Sequence, residues 1–146
     1  MASKIEQIQL SSQGKSIEEA FSNSAVNMFS IVTDTNLVNS NLKKSLMMRS
    51  KDLKSLLYLF LRKLFDLANN ELFLLKEVRD LKIESINDEY LLTAVASGDK
   101  FNQGYEVKDI VKQLIDKDII IKEDKSGTFT QVSLIVERRN VKDEEV

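Results

Sequence analysis

The chain has 146 residues, of which 42% are apolar and 30% are charged, and its formal net charge is −2. This is the length of one ordinary domain, and it is large enough to bury a core without disulfide bonds. The sequence contains no histidine, cysteine, proline or tryptophan, which excludes disulfides, nearly every zinc, haem or iron–sulfur site, and catalysis by histidine or cysteine.

The first elements predicted along the chain are a strand and a helix. Apolar residues share one face of the run Lys4–Ser11, as in a half-buried strand. Ser16 begins a capping box, because its hydroxyl can accept a hydrogen bond from the amide of Glu19. An apolar stripe at spacings of three and four then predicts a helix over residues 17–31, which closes at Thr33–Asn36.

A second strand and a second helix follow. The strand is predicted over residues 42–49. Ser50 is the predicted cap of the next helix, and Asp52 lies in its first turn, where the helix dipole favours negative charge. That helix, residues 53–68, is so apolar that little polar face is left. We expect it to be the central core element, and the alternative is that it lies partly under a partner.

The C-terminal half predicts strands only. A hairpin is predicted over residues 81–97, an ordered stretch over 107–121 and a last strand over 129–136. The order of elements favours an α+β fold, with two helices packed on one face of a mostly antiparallel sheet. One domain is predicted over residues 1–136, and the charged residues 137–146 are predicted to form a disordered tail.

The sequence predicts neither membrane insertion nor secretion. The longest unbroken apolar run, Leu56–Leu61, is far shorter than the roughly 20 residues that a helix needs to cross a bilayer. Residues 1–10 contain no hydrophobic region followed by a small-residue cleavage site. The expected location is therefore the cytoplasm. The weakly acidic net charge also gives no expectation of direct nucleic-acid binding.

Three segments, in order and at plausible spacing, resemble the archease family. Gly14–Phe21, followed by Met28-Phe29 and Val32–Asp34, is similar to the family pattern G-x-[TS]-L-E-E-A-F…M-F…[MV]-T-D. Asp52–Leu61 resembles the family's D-L-x-x-L-L-x-x-[FW]-L helix. Gln103–Ile110 is similar to its late G-x-E-V-K-A-[IV] segment. Together the three segments span most of the chain.

The resemblance implies an SHS2-type domain that is not an enzyme. Archeases activate the RtcB-type RNA ligase, which joins tRNA exons and requires guanylylation, so such a ligase is the implied partner. Glu106 and Lys108 retain the family's E-V-K sequence and, with Asp34, are the implied partner-binding residues. The alternative for the pair is a solvated ion pair on a strand, with Val107 pointing into the core. The alternative for Asp34 is a turn-forming role at the helix exit.

The resemblance also implies that the family's metal site, of the Ca²⁺ or Mg²⁺ type, is lost. It places Gln7 where the family has the Asp of an H-T-A-D strand, and Ile135 at or near the Asp of a D-I pair. Gln7 offers one neutral carbonyl oxygen and Ile135 only its backbone, whereas hard cations require charged ligands. Glu6 should point to the opposite face of the strand. We therefore predict no metal cofactor and no binding of these cations tighter than about millimolar.

The sequence leaves other interpretations open, of which the most distant is an enzyme with a metal held by carboxylates, since no motif places such groups together. A diverged SHS2-type adaptor would use the apolar helix 53–68 to bind an unrelated protein without any link to a ligase. A cluster of basic residues near the second strand would face RNA or an acidic partner, or would simply be solvated: Lys43, Lys44, Arg49, Lys51 and Lys54. No aromatic side chains interleave with this cluster, as stacking on single-stranded RNA requires, so a solvated face is expected.

Overall fold

The computed structural model describes residues 3–139, which form two α-helices and six β-strands. In chain order the elements are β1 (Lys4–Gly14), α1 (Ile17–Val32), β2 (Leu42–Ser50), α2 (Leu53–Glu71), β3 (Phe73–Ile86), β4 (Glu89–Lys100), β5 (Ile110–Asp124) and β6 (Gly127–Arg138). A short 3-10 helix, Thr35–Leu37, lies between α1 and β2. The predicted α+β class is confirmed. Neither helix within these residues is long and apolar enough to cross a membrane.

The strands form two antiparallel sheets of three strands each. Sheet A has the order β1-β6-β5, and sheet B has the order β2-β4-β3. The sequence predicted a mostly antiparallel sheet without this division. The division follows from two long-range pairings, β1 with β6 and β2 with β4, which the period-two pattern of a strand does not encode. Both helices contact strands of both sheets, so they hold the two sheets together.

The capping box predicted at the start of α1 is present. Ser16 is the N-cap, and its Oγ accepts a hydrogen bond from the amide of Glu19 at 3.1 Å. The carboxylate of Glu19 accepts a hydrogen bond from the amide of Lys15, one residue before the cap. Both bonds satisfy backbone donors that would otherwise have no partner at the beginning of the helix.

Asp52, and not the predicted Ser50, caps α2. The Oδ1 atom of Asp52 accepts a hydrogen bond from the amide of Ser55 at 2.8 Å. Ser50 is the last residue of β2 instead, so its backbone is committed to the sheet. The helix also continues to Glu71, past its predicted end, and stops where Leu72 adopts the left-handed conformation with φ 56°.

The apolar face of α2 is buried inside the fold. Six of its residues are no more than 5% exposed: Leu56, Leu57, Phe60, Leu61, Leu64 and Leu67. The ring of Phe60 stacks on that of Phe21 from α1, with 6.3 Å between their centroids. The helix is therefore the central core element, as expected. The adaptor interpretation requires that this apolar face be free to bind a partner, so its burial argues against that interpretation.

The strand β3 begins earlier than the predicted hairpin. It starts at Phe73, and its pairing with β4 is interrupted twice, at Leu75–Glu77 and at Arg79–Lys82. Such irregularities shift the side chains between faces and hide the period of two from the sequence. The hairpin turn itself is formed by Asn87 and Asp88, whose φ angles of 51° and 65° are those of a type I′ turn.

The last strand is longer than predicted. Glu137 and Arg138 were assigned to the tail, but both lie in β6 and pair with residues of β1. Arg138 also forms ion pairs with carboxylates from two other segments. These partners are distant in the chain, so the composition of the terminus could not indicate them. The rest of the predicted tail, residues 140–146, lies outside the described residues.

Candidate functional site

The segment Tyr105–Asp109 caps the C-terminal end of α1. The amide of Lys108 donates a hydrogen bond to the carbonyl oxygen of Val32 at 2.6 Å, and the amide of Asp109 donates to that of Ile31 at 3.2 Å. The carbonyl groups in the last turn of an α-helix have no partner within the helix, and these two bonds satisfy two of them. We call Tyr105–Asp109 the capping segment.

The capping segment brings the three predicted partner-binding residues to one place. The hydroxyl of Thr33, a residue that is 2% exposed, donates a hydrogen bond to the carbonyl oxygen of Glu106 at 2.7 Å. Asp34 follows Thr33 directly in the chain. The side chains of Asp34, Glu106 and Lys108 are all exposed. The structure thus gathers these residues at a single junction beside the end of α1.

Glu106 and Lys108 were predicted to lie on a strand, and this prediction is wrong. Residues 105–109 belong to no strand, and the backbone amides of Lys108 and Asp109 bond to the end of α1. The exposure still alternates, because Val107 is half-buried between two exposed residues. An alternating sequence fits both arrangements equally well, and only the position of α1 decides between them. The regular strand β5 begins at Ile110.

Asp34 has the turn-forming role that was considered as its alternative. Its carboxylate accepts a hydrogen bond from the amide of Asn36 at 3.1 Å and caps the 3-10 helix. Leu37, in the same helix, is 69% exposed. A local structural role does not remove Asp34 from the surface, so the same side chain can also meet a partner.

A hydrogen-bond network anchors the start of the capping segment. The hydroxyl of Tyr105 donates to Oδ2 of Asp99 at 2.7 Å and accepts a hydrogen bond from the amide of Asn39 at 2.9 Å. Asp99 is 4% exposed and also accepts hydrogen bonds from the amide of Lys100 and the side chain of Asn41. These donors, led by the tyrosine hydroxyl, lower the pKa of Asp99 against the opposing effect of burial.

We expect acid to weaken this network. The pKa of Asp99 is lower in the folded chain than in the unfolded chain. Its carboxylate therefore stabilises the fold at a pH above about 3.9, the pKa of an aspartate in the unfolded chain. This stabilisation is lost as the pH falls through the lower pKa of Asp99 in the folded chain. Tyr105→Phe removes the main donor to Asp99. Between pH 5 and pH 2, the melting temperature of this variant should therefore fall less steeply than that of the unmodified protein, because Asp99 contributes less pH-dependent stability.

Thermal unfolding at each pH, together with an NMR titration of the Asp99 carboxyl carbon, measures this effect. Tyr90→Phe is the matched control, because it removes a hydroxyl group outside the network. The interpretation is contradicted when Tyr105→Phe and the unmodified protein lose stability in parallel as the pH falls.

Arg138 joins three segments at the other end of the capping segment. Its Nε donates to Oε2 of Glu6 at 2.8 Å, and its Nη1 donates to Oδ2 of Asp109 at 3.0 Å. The amide of Arg139 donates to the second carboxylate oxygen of Asp109 at 3.0 Å. The guanidinium of Arg138 also lowers the pKa of Glu6. Asp109 is thus held from two sides, which fixes the point where the capping segment enters β5.

The two positions that correspond to the family's metal ligands lie opposite each other. Gln7 and Ile135 are cross-strand partners in the register of β1 and β6. Gln7 is exposed, whereas Glu6 and Ile8 on either side are half-buried, so Gln7 faces outward and Glu6 inward. As expected, Glu6 points away from the pair, and its carboxylate is bonded to Arg138.

These residues do not fit a calcium or magnesium site, since the pair offers one neutral side-chain oxygen. Elsewhere in residues 3–139, no group of three acidic side chains could hold a metal ion. The weak binding of these cations stays a prediction for measurement.

The basic cluster near β2 does not form one uninterrupted cationic surface. Lys44 pairs with Glu71 at 2.8 Å, and Arg49 lies 3.7 Å from Glu89. The partner of Lys44 comes from the end of α2, and that of Arg49 comes from the start of β4. Neutralisation of two of the cations weakens the case for an RNA-binding face, which depends on a continuous positive potential.

Three residues that organise this site were missed by sequence reasoning: Thr33, Asp99 and Arg138. Asp99 lies beyond the predicted end of the hairpin at residue 97, and Arg138 lies in the predicted tail. The only signal available for Asp99 and Arg138 was their charge, which is common in this sequence. Thr33 was noted only as part of the helix exit. Thr33 and Arg138 act through partners distant in the chain, and Asp99 binds the distant Asn41 as well as the nearer Tyr105. No local pattern marks these residues.

The chain is similar to known proteins in both sequence and fold. The model of the archease protein family matches residues 7–138. Protein archease of Methanothermobacter thermautotrophicus is 34% identical over 116 residues, covering 75% of this chain and 82% of that protein. Protein archease of Danio rerio is 35% identical over 109 residues, covering 70% and 66%. The solution structure of Methanobacterium thermoautotrophicum protein 1598 matches with a TM-score of 0.71 and 26% identity, covering 92% of this chain and 96% of that one.

Proposed function

Because the chain belongs to the archease family, we propose that it is a non-enzymatic protein cofactor of an RtcB-type RNA ligase. It binds the ligase and promotes its guanylylation, in tRNA splicing or in RNA repair, as the resemblance in sequence implies. The observation that carries this proposal is the junction at the end of α1. There, Asp34, Glu106 and Lys108 are exposed together on backbone that hydrogen bonds hold in place.

The junction has the properties of a surface that recognises a protein. It presents carboxylates and an ammonium group, which can pair with opposite charges and fix the register of a complex. Leu37 adds an exposed apolar side chain. The backbone bonds of the capping segment are already formed, so binding would order few additional groups and lose little entropy. The proposal assigns no step to a metal ion, because Gln7 and Ile135 do not fit one.

We expect the protein to bind an RtcB-type ligase from the same organism and to raise its rate of guanylylation with GTP and a divalent cation. Titration of purified ligase with the protein, followed by measurement of ligase-bound GMP, tests both parts. An unchanged rate and an unchanged number of turnovers would contradict the proposal. Binding without any acceleration would point to an adaptor function instead.

We expect reversal of either charge in the capping segment to weaken the complex. Glu106→Lys and Lys108→Glu each replace an attractive contact by a repulsive one, so the dissociation constant should rise by about tenfold or more. Both residues are exposed, so the free energy of unfolding should change by no more than about 0.5 kcal/mol. Calorimetric titration with the ligase and urea denaturation provide the two measurements.

Lys122→Glu is the matched control for these variants. Lys122 is also exposed, but it lies near the far end of β5 from the capping segment. Its reversal should leave the dissociation constant within about twofold of the unmodified value. Equal losses in Lys108→Glu and Lys122→Glu, with tighter binding by Glu106→Lys, would mean that only the net charge matters. A strong loss of stability with intact binding would show that Glu106 and Lys108 are structural.

A further inference from the structure

The outer face of sheet A, which is turned away from the two helices, is formed by uncharged side chains over most of its length. In the middle strand β6, Val132, Leu134 and Val136 are fully buried in the core. The residues that alternate with them, and those directly opposite on β1, therefore point outward. β1 contributes five exposed residues to this face: Ile5, Gln7, Gln9, Ser11 and Gln13.

The other two strands of sheet A also place uncharged residues at the centre of this face: Gln131, Ser133 and Ile135 from β6, and Gln113, Ile115 and Ile120 opposite them on β5. Ile115, Ile120 and Ile135 are only half-buried, and they belong neither to the hydrophobic core nor to the side chains packed against it. These isoleucines therefore add apolar surface beside the glutamine and serine side chains. Contiguous surface of this kind on a soluble protein indicates contact with another molecule.

Sheet B provides a comparison within the same chain. Beside the outward residues of its middle strand β4, the flanking strands place six charged side chains: Lys43, Arg49, Glu77, Arg79, Lys82 and Glu84. Soluble proteins usually carry charges of both signs on about 25–35% of their surface residues, whereas the centres of protein interfaces are depleted of charge. The outer face of sheet B is thus typical of a solvated surface, and that of sheet A is typical of an interface.

The charged residues at paired positions on the outer face of sheet A lie at its two ends. Glu137 is at one end, and Lys122 is at the other. Asp124 lies beyond Lys122 in the hairpin turn, where its carboxylate accepts hydrogen bonds from the amide and hydroxyl groups of Ser126. The neutral centre gives a charged partner nothing to pair with, but it matches the same face of a second copy. If the strands of two copies run antiparallel across the contact, the Lys122 end of each copy meets the Glu137 end of the other.

We propose that two copies of this chain form a symmetric dimer through the outer face of sheet A, with their strands antiparallel across the contact. In such a dimer both copies present the same surface about a two-fold axis. Ser133 lies midway between Phe129 and Glu137 on β6, and Gln9 is its cross-strand partner, so the axis passes beside both. Gln9 of one copy then faces Gln9 of the other. The amide group of glutamine both donates and accepts hydrogen bonds, so the two side chains can pair.

The size of this face suits a weak dimer. β1 and β6 are paired over 11 positions, which extend about 37 Å, and three strands span about 14 Å. Each copy can therefore cover about 500 Å², and the total of about 1,000 Å² is at the lower limit for a specific protein interface. We expect a dissociation constant of about 1–100 µM. The inference concerns a contact between copies of this chain and does not depend on the proposed ligase.

Charge substitution at Gln9 tests both the dimer and its axis. Gln9→Glu places two carboxylates against each other across the axis, and Gln9→Lys does the same with two ammonium groups. Either variant alone should therefore raise the dissociation constant of the dimer by about tenfold or more. An equimolar mixture of the two variants should restore dimerisation, because opposite charges then meet. Sedimentation equilibrium of the full chain, at concentrations up to about 0.5 mM, measures each of these results.

Ser45→Lys is the matched control. Ser45 is also exposed on an edge strand, but it lies on the outer face of sheet B. Its substitution should leave the dissociation constant of the dimer within about twofold of the unmodified value.

Amide resonances in the unmodified chain provide a second measurement. Those of Gln9 and Ser133 should shift on dilution, and that of Ser45 should not. This measurement needs no variant, so it decides the question if a substitution at Gln9 impairs folding. A chain that stays monomeric at the highest concentration, or a dimer that both Gln9 variants leave intact, would overturn the proposal. A monomeric chain whose binding to the ligase is weakened by Gln9→Glu would also overturn it and would assign this face to the ligase.

Discussion

Gly98→Ala should abolish the stable fold or lower its free energy of unfolding by about 3 kcal/mol or more. A Cβ atom at this position would lie 1.9 Å from the carbonyl oxygen of Leu74 and 2.9 Å from the ring of Phe73. The obstacle is backbone, which cannot rotate away as a side chain can. Gly98 also lies in the central strand of sheet B, opposite Leu42 on one side and Leu75 on the other. A shift would therefore disturb hydrogen bonds on both sides.

Gly104→Ala is the matched control for this substitution. A Cβ atom at Gly104 would meet nothing within 4 Å, although its φ of 90° is unfavourable for alanine. The expected cost is therefore confined to local strain of about 1–2 kcal/mol. Urea denaturation followed by circular dichroism compares the two variants. The steric argument is contradicted when Gly98→Ala is as stable as Gly104→Ala.

The features that sequence reasoning predicted correctly have local causes. The start of α1 depends on Ser16 and Glu19, which are three residues apart, and its length depends on an apolar stripe within residues 17–31. The burial of α2 depends on its own excess of apolar residues. In both cases the residues that determine the structure are neighbours in the chain, so a short window of sequence contains the necessary information.

The incorrect predictions concern segments whose local sequence fits two structures equally well. Ser50 and Asp52 are both good N-cap residues, and the choice depends on how far β2 continues. The pairing of β2 with β4 reaches Ser50, which leaves Asp52 for the helix. The capping segment is a similar case. Its alternating residues fit a strand, but the unpaired carbonyl groups at the end of α1 attract its amides instead.

The residues of the candidate site could be predicted from the sequence, but the hydrogen bonds that hold them together could not. Resemblance to a family singled out Asp34, Glu106 and Lys108, and the structure places them at one junction. The bonds that form the junction come from Thr33, whose hydroxyl meets the carbonyl group of Glu106, and from Asp99, whose carboxylate meets Tyr105. The contact of Thr33 forms only when the helix end and the loop after β4 are packed together, and the contact of Asp99 forms when that loop folds back on the end of β4. No spacing in the sequence indicates them.

The double substitution Gln7→Asp with Ile135→Asp should create calcium binding that the unmodified protein lacks. Residues directly opposite each other in an antiparallel pair have Cβ atoms about 4.5–5.5 Å apart. Two carboxylates at that separation can bind one cation. Glu137 follows Ile135 by two residues and shares its face of β6, so it can supply a third carboxylate. The affinity should rise from weaker than about millimolar by at least about tenfold.

A matched control separates the geometry of this pair from its charge. Gln7→Asp with Gln131→Asp adds the same two charges, but Gln131 lies four residues from Ile135 along β6, about 13 Å away. Calorimetric titration with calcium should detect binding only in the directly opposed pair.

The opposed carboxylates should also lower the melting temperature without calcium and raise it with calcium, because a cation that binds only the folded state stabilises it. Micromolar binding by the unmodified protein would contradict the predicted loss of the metal site. Absence of binding in the double variant would mean that one of two features directs the carboxylates apart. One is the pairing of Glu137 with Lys112, at 3.7 Å, and the other is the shift in register between β5 and β6 at Val111–Gln113.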